Sequence, residues 1–270
     1  MMPSRECRRW RLIPFLEESG KIQMAIDAWL LEQYRLGLCG PVLRFYSWSP
    51  PAISLGYHQH KWPNFWENLT WQGGKLQLVR RPTGGRAVLH QGDLTYAVIT
   101  SNLGVKRLES YEFICRFLIE GWRKLGIELS YGMAGRGYIH NPNCFGTATS
   151  ADLVLADGSK LIGSAQLRRD GAILQHGSIR LKPDVELFAQ VFGEAEKANL
   201  DINFDTKDVM DALIQAAAEC FGGEFVVENL SDEEWQVILE TSSKYSVNLS
   251  GYDHAEENNA ASIKKQQYLP

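Results

Sequence analysis

Two blocks of this chain set a cationic, glycine-bearing turn between strand-like runs: Leu78–Ile99, LVRRPTGGRAVLHQGDLTYAVI, and Gly163–Ile179, GSAQLRRDGAILQHGSI. Glycine reaches backbone conformations and close approaches that other residues cannot, and successive N–H groups in such a turn form an anion-binding concavity. A chain written this way is constrained to a sheet-rich fold whose turns bring bare backbone and positive charge up to an acyl or phosphate oxygen. The chemistry is therefore expected at these two blocks.

The remaining sequence sets bounds. With 270 residues, 44% hydrophobic and 22% charged, the chain can bury a full core. No apolar run approaches the roughly 20 residues of a membrane span. The basic start (Arg5, Arg8, Arg9, Arg11) leads only into Leu12–Leu16 before Glu17 and Glu18, so no signal peptide is expected and the expected location is cytoplasmic. Five cysteines, Cys7, Cys39, Cys115, Cys144 and Cys220, lie far apart with no C-x-x-C pair, which argues against a disulfide framework or structural zinc. Lys and Arg outnumber Asp and Glu by 22 to 14 in residues 1–180 and are outnumbered by 18 to 6 in residues 181–270. The first part could attract an acidic partner; an acidic end that aids solubility is the plainer reading.

Periodicity predicts strands at Trp10–Ile13, Val42–Tyr46, Ala52–Leu55, Gln77–Arg81, Ala87–Leu89 and Leu94–Thr100. Helices are expected at Lys21–Leu36, with Ile22, Ile26, Trp29 and Leu30 on one face, and at Ser110–Gly126, with Ser110 as N-cap. Ile127–Tyr131 should return as a strand, and Gly132–Thr147 should be a long functional loop. Asp157-Gly158 and Asp170-Gly171 mark hairpin turns between Leu153–Ala156, Lys160–Leu167 and Ala172–Leu181. Beyond these lies an acidic helical portion, residues 184–249, with a helix at Thr206–Phe221 and a capping box at Ser231-x-x-Glu234. A polar tail, residues 250–270, is expected to be disordered.

The segment RRPTGGRAVLH (Arg80–His90), followed by DLTYAVI, resembles the signature of the lipoate-protein ligase A, octanoyltransferase and biotin-ligase superfamily. QMAIDAWLLE (Gln23–Glu32), ISLGYHQ (Ile53–Gln59) and KLIGSAQLRRDGAILQHGSI (Lys160–Ile179) fit it in the same order, from about Trp10 to Leu181 and more weakly to about residue 246. The resemblance implies an α+β, biotin/lipoate ligase-like catalytic domain over residues 1–249, built of mostly antiparallel and mixed sheets flanked by helices. It is nearest to the cysteine-dependent octanoyltransferases, which move octanoyl from acyl carrier protein to a lysine of a lipoyl-domain protein or glycine-cleavage H protein.

That reaction calls for a thiol, an oxyanion stabiliser and an apolar tunnel. Cys144, in the polar loop Asn141–Gly146, matches the branch's acyl-bearing cysteine, with an incidental loop thiol as the plainer reading. Lys160 stands where the superfamily keeps a lysine on the acyl carbonyl, against a solvated lysine beside an Asp-Gly turn. Arg80, Arg81, Thr83, Gly84, Gly85 and His90 are the expected acyl-binding turn, and Gly163, Ser164, Gln166, His176 and Gly177 the opposite wall. His90 and His176 are either proton shuttles for Cys144 or histidines that tie strands together. Cys115 and Cys220 read as core, and Cys7 and Cys39 lack a cationic setting.

No cofactor or metal is expected. His58 and His60 lack a ligand cluster. Trp62, Phe65, Trp66 and Trp71 lack the interleaved cations of a nucleic-acid surface and read as core or pocket lid. Three alternatives stay open: an ATP-dependent lipoate-protein ligase, an octanoyl or lipoyl amidotransferase, and a non-catalytic acyl-binding protein.

Overall fold

The computed structural model describes residues 9–101, 106–132, 152–193 and 202–247. Cys7, Cys144, nearly all of the expected functional loop and the expected disordered tail lie outside the described residues.

The order of elements is β1 (Arg9–Glu18), α1 (Gly20–Arg35), β2 (Val42–Trp48), β3 (Ala52–Leu55), β4 (Thr70–Trp71), β5 (Gly74–Lys75), β6 (Gln77–Arg80), β7 (Val88–His90), β8 (Asp93–Ser101), α2 (Arg107–Lys124), β9 (Ser130–Tyr131), β10 (Asp152–Val154), β11 (Lys160–Arg169), β12 (Ala172–Arg180), α3 (Val185–Phe192), α4 (Thr206–Phe221), β13 (Glu224–Val227) and α5 (Asp232–Ser242). Among the described residues, eight strands form one mixed sheet in the order β13-β1-β2-β8-β12-β11-β10-β9, and β6-β3-β7 form a small second sheet. This is the expected α+β architecture of mixed sheets flanked by helices.

The large sheet is buried on both faces. One face carries Phe45, Tyr96, Val98 and Ile162 against α2 and α4. The other carries Val42, Ala97, Ile99 and Leu174 against Met24, Ile26, Leu30 and Leu31 of α1. Residues two apart on a strand share a face, so β8 can feed two cores at once, and DLTYAVI reads as a continuous apolar run for that reason. The Asp170-Gly171 turn has φ of +47° and +84°, the left-handed pair of a tight two-residue hairpin, and it fixes the β11–β12 register.

Several expectations need correction. The second helix starts at Arg107, not Ser110. Glu109 accepts from the Lys106 N–H at 3.5 Å, and Ser110 is buried inside the first turn, where its hydroxyl donates to the Arg107 carbonyl at 2.7 Å. The strand expected at Ile127–Tyr131 shrinks to Ser130–Tyr131. The acidic C-terminal part is not all helical: Glu224–Val227 pairs in parallel with β1 and becomes an edge of the large sheet. Arg11 fastens the same part, its fork donating to Glu234 Oε1 and Oε2 at 2.8 and 2.7 Å. Among the described residues, no helix is long and apolar enough to cross a membrane.

Candidate active site

The two glycine-bearing blocks meet. β11 and β12 pair antiparallel with Gly163 opposite Ser178, Ser164 opposite Gly177 and Ala165 opposite His176, and β8 continues the row with Thr95, Tyr96 and Ala97. Thr95, Gly163, Ser164, Ala165, Gly177 and Ser178 of these strands form the floor of a cavity. Met24, Tyr46 and Trp48 supply an apolar wall, and Ser54, Arg81, Gly85, Val88 and His90 close the other side. A Cβ at Gly177 would lie 2.6 Å from the Tyr96 ring and 2.7 Å from the Gly163 carbonyl oxygen, so only glycine lets the floor pack this closely.

The turn over this floor is braced from within. Arg81, 5% exposed, donates to the carbonyls of Ser54 (2.8 Å), Gly84 (2.8 Å) and Arg86 (2.7 Å). Arg80 donates to the carbonyls of Gly56 (2.9 Å) and Gln59 (2.7 Å). Loop carbonyls that no sheet can satisfy need donors, and a guanidinium fork supplies several at once. The paired arginines thus hold backbone.

Both histidines are committed at both ring nitrogens. His90 Nδ1 lies 2.8 Å from Asp93 Oδ2 and its Nε2 lies 2.8 Å from Ser54 Oγ, while its ring stacks on Trp48 at 3.8 Å between centroids. Burial pushes the His90 pKa down against the pull of Asp93, so the ring is neutral at pH 7. His176 Nδ1 lies 2.7 Å from Asp27 Oδ2, and its Nε2 lies 2.7 Å from Thr83 Oγ1. A carboxylate only accepts, so Nδ1 carries a proton in each ring, and the Nε2 of neutral His90 accepts from the Ser54 hydroxyl. Of the two readings of these residues, the geometry favours strand and turn ties over free proton shuttles.

Of the expected binding residues, Arg81, Gly85, His90, Gly163, Ser164, His176 and Gly177 border the cavity. Arg80 faces a neighbouring cleft with Arg169 and Lys244. Thr83 and Gly84 shape the turn without lining the cavity. Gln166 is a correction: strand alternation turns it to the α2 side, where it meets Ser110 at 3.1 Å and donates to Gln175 at 3.1 Å. Lys160, at the start of β11, is buried with its Nζ 3.0 Å from Asp152 Oδ1, which offsets the cost of taking an ammonium from water.

Asp27, Ser54, Asp93 and Ser178 were not singled out from the sequence. The usable signal was Gln23 and Asp27, polar residues at i, i+4 on the buried face of α1. Among the described cysteines, burial pushes Cys115 up to about 12 and Cys39 up to about 11, and it raises Cys220, so these thiols are protonated at neutral pH.

The model of the lipoyl protein ligase A/B catalytic domain matches residues 19–228, and the chain belongs to that family. It is accordingly an enzyme, an acyltransferase of protein lipoylation. The octanoyltransferase LipM of Anoxybacillus flavithermus is 38% identical over 214 residues, covering 74% of this chain and 76% of that protein. The octanoyltransferase LipM of Kyrpidia tusciae is 34% identical over 265 residues, covering 87% and 96%. In fold the chain resembles a putative lipoate protein ligase from T. acidophilum with bound lipoic acid, with TM-score 0.72 at 22% identity over 88% of this chain and 95% of that one. A lipoate-protein ligase A bound with ATP gives TM-score 0.71 at 23% identity over 87% and 95%.

Proposed function

We propose that this enzyme moves octanoyl from acyl carrier protein to a lysine of a lipoyl-domain protein or glycine-cleavage H protein, through a thioester on Cys144. The observation that carries the reading is the apolar cavity where the two glycine blocks meet, in a chain whose relatives are named octanoyltransferase.

Cys144 thiolate attacks the thioester carbonyl of the donor. The carbon–sulfur bond to the carrier breaks, the carrier thiolate leaves and takes a proton, and octanoyl-Cys144 remains. The neutral ε-amine of the acceptor lysine then attacks, the carbon–sulfur bond to Cys144 breaks, an amide forms, the nitrogen's extra proton passes to solvent, and Cys144 leaves as the thiolate. Lys160 and turn N–H groups stabilise the oxyanion in both steps. The acyl chain lies against Met24, Tyr46 and Trp48. A thioester already holds the activation needed for amide formation, so the scheme requires no ATP. The raised thiols of Cys39, Cys115 and Cys220 support Cys144 as nucleophile. Arg80, Arg169 and Lys244 beside the turn suit docking of an anionic partner.

Intact-protein mass spectrometry after mixing with octanoyl-acyl carrier protein, with and without ATP, tests this. A hydroxylamine-sensitive octanoyl adduct that forms without ATP and is absent in Cys144→Ser supports the scheme. Acyl transfer only with ATP, unaffected by Cys144→Ser, replaces it with a ligase; loading from octanoyl-H protein but not from the carrier makes the enzyme an amidotransferase.

A further inference from the structure

One buried carboxylate has no part in that chemistry. Asp27, on α1, is wholly enclosed, as are Arg44, Tyr46 and Thr83 around it. Its Oδ1 accepts from Arg44 Nη1 at 3.2 Å, and its Oδ2 accepts from the Tyr46 hydroxyl at 2.9 Å and from His176 Nδ1 at 2.7 Å. Arg44 also donates to Gln23, whose own amide is tied to the Leu16 and Ser47 carbonyls at 3.2 and 2.9 Å. The carboxylate is therefore held from β2 and β12, with β1 tied in through Gln23. Through His176 it reaches the hydroxyl of Thr83, and Thr83 is pinned a second time where its carbonyl accepts from the Tyr57 N–H at 2.8 Å.

The turn Arg81–Arg86 has no strand partner of its own over Pro82–Arg86, so side-chain bonds join the Tyr57 N–H to Thr83 bond in setting where its N–H groups point. Arg81 grips it from the small sheet. The Thr83 hydroxyl on His176 holds it from the large sheet.

We infer that Asp27 is a positioning residue: by fixing the proton on His176 Nδ1 it makes Nε2 the acceptor for Thr83, and so sets the Gly84–Gly85 turn over the acyl cavity. This rests on the proposed acyl transfer only for its effect on rate. It makes a chemical prediction for Asp27→Asn, which keeps the shape. A guanidinium can only donate, so the Asn oxygen must face Arg44, and the Asn NH₂ faces Tyr46 and His176. His176 Nδ1 must then accept, the ring proton moves to Nε2, and the bond to Thr83 runs in reverse. A displacement of about 1 Å in a positioning turn is worth about 100-fold in rate.

The test uses the full chain, ¹⁵N-labelled on His and Gly. In the parent, the His176 ring should show a protonated Nδ1; in Asp27→Asn it should show a protonated Nε2, with the Gly84 and Gly85 amide signals displaced and that of Gly171, in the distant hairpin, unmoved. Thr83→Val should displace the same two amides, and Thr83→Ser should restore them. Octanoyl transfer should fall about 100-fold in kcat with KM little changed in Asp27→Asn and Thr83→Val, and the double variant should be no worse than the poorer single. Unmoved Gly84 and Gly85 signals in Thr83→Val, or fully additive losses, would overturn the inference. Should Asp27→Asn not fold, the Thr83→Val and Thr83→Ser pair decides alone. If the parent transfers no octanoyl yet tautomer and glycine signals respond as described, the positioning role stands and the functional reading falls.

Discussion

A Cβ built on Gly56 would lie 1.8 Å from the carbonyl oxygen of Gly85, so the loop after β3 and the glycine turn touch backbone to backbone. Arg80 and the Tyr57 N–H to Thr83 bond sit on the same contact. Gly56→Ala must push the turn away. We expect a loss of about 3 kcal/mol or more, the upper end for overpacking, together with loss of acyl transfer. Urea denaturation against the parent measures it; unchanged stability would mean the turn is not seated there.

Gly177→Ala acts on the floor. Its Cβ meets the Tyr96 ring at 2.6 Å, the Gly163 carbonyl at 2.7 Å and Ser164 Oγ at 2.8 Å, so β11 must shift from β12 under the cavity. The expected cost is about 1–3 kcal/mol in stability. Acyl loading, followed by mass spectrometry, should slow even at temperatures where the variant is fully folded.

Lys160 combines a structural bond with a proposed chemical role, and a pair of variants separates them. Lys160→Met leaves the buried Asp152 without its ammonium at 3.0 Å, a change of about 3–5 kcal/mol. Adding Asp152→Asn removes the stranded charge and should recover part of the melting temperature. Octanoyl transfer should stay absent in both; recovery of transfer in the double variant would assign Lys160 to structure alone.

Two groups make the fold sensitive to acid. Burial holds the His90 pKa below its ordinary value, so the unfolded chain takes up the proton first; this stability is complete above about pH 6.5 and falls as the pH drops through the lowered folded value. Burial alone would raise Glu234, but the Arg11 fork and the Ser231 N–H outweigh it and hold the carboxyl low. Its contribution is present above about pH 4.3 and is lost below it. Melting temperature should therefore decline in two stages between pH 7 and 3, and Glu234→Gln should flatten only the lower stage.

Much of the architecture was legible because it rests on short-range rules. The strands at Val42–Tyr46 and Ala52–Leu55, the first helix, the helix Thr206–Phe221, the Ser231 capping box and the Asp170-Gly171 hairpin all follow from period, caps and turn residues within a few positions. The β11–β12 pairing beneath the cavity was legible for the same reason, since a two-residue turn sets Gly163–Gln166 opposite Gln175–Ser178. β13 was missed because four residues of EFVV make a strand only when β1 lies beside them, more than 200 positions earlier in the chain.

The sequence by itself determined the element types, the pairing of neighbours and the residue chemistry gathered at the two glycine blocks, because these depend on backbone preferences and periodicity that act locally. Tertiary structure alone decided what those residues touch. It turned Gln166 away from the cavity, gave both arginines to loop carbonyls, and brought Asp27 to His176 across 149 positions. The face that a strand shows to a cavity, and the partner that a buried polar group finds, depend on how separate elements pack, and no local pattern carries that information.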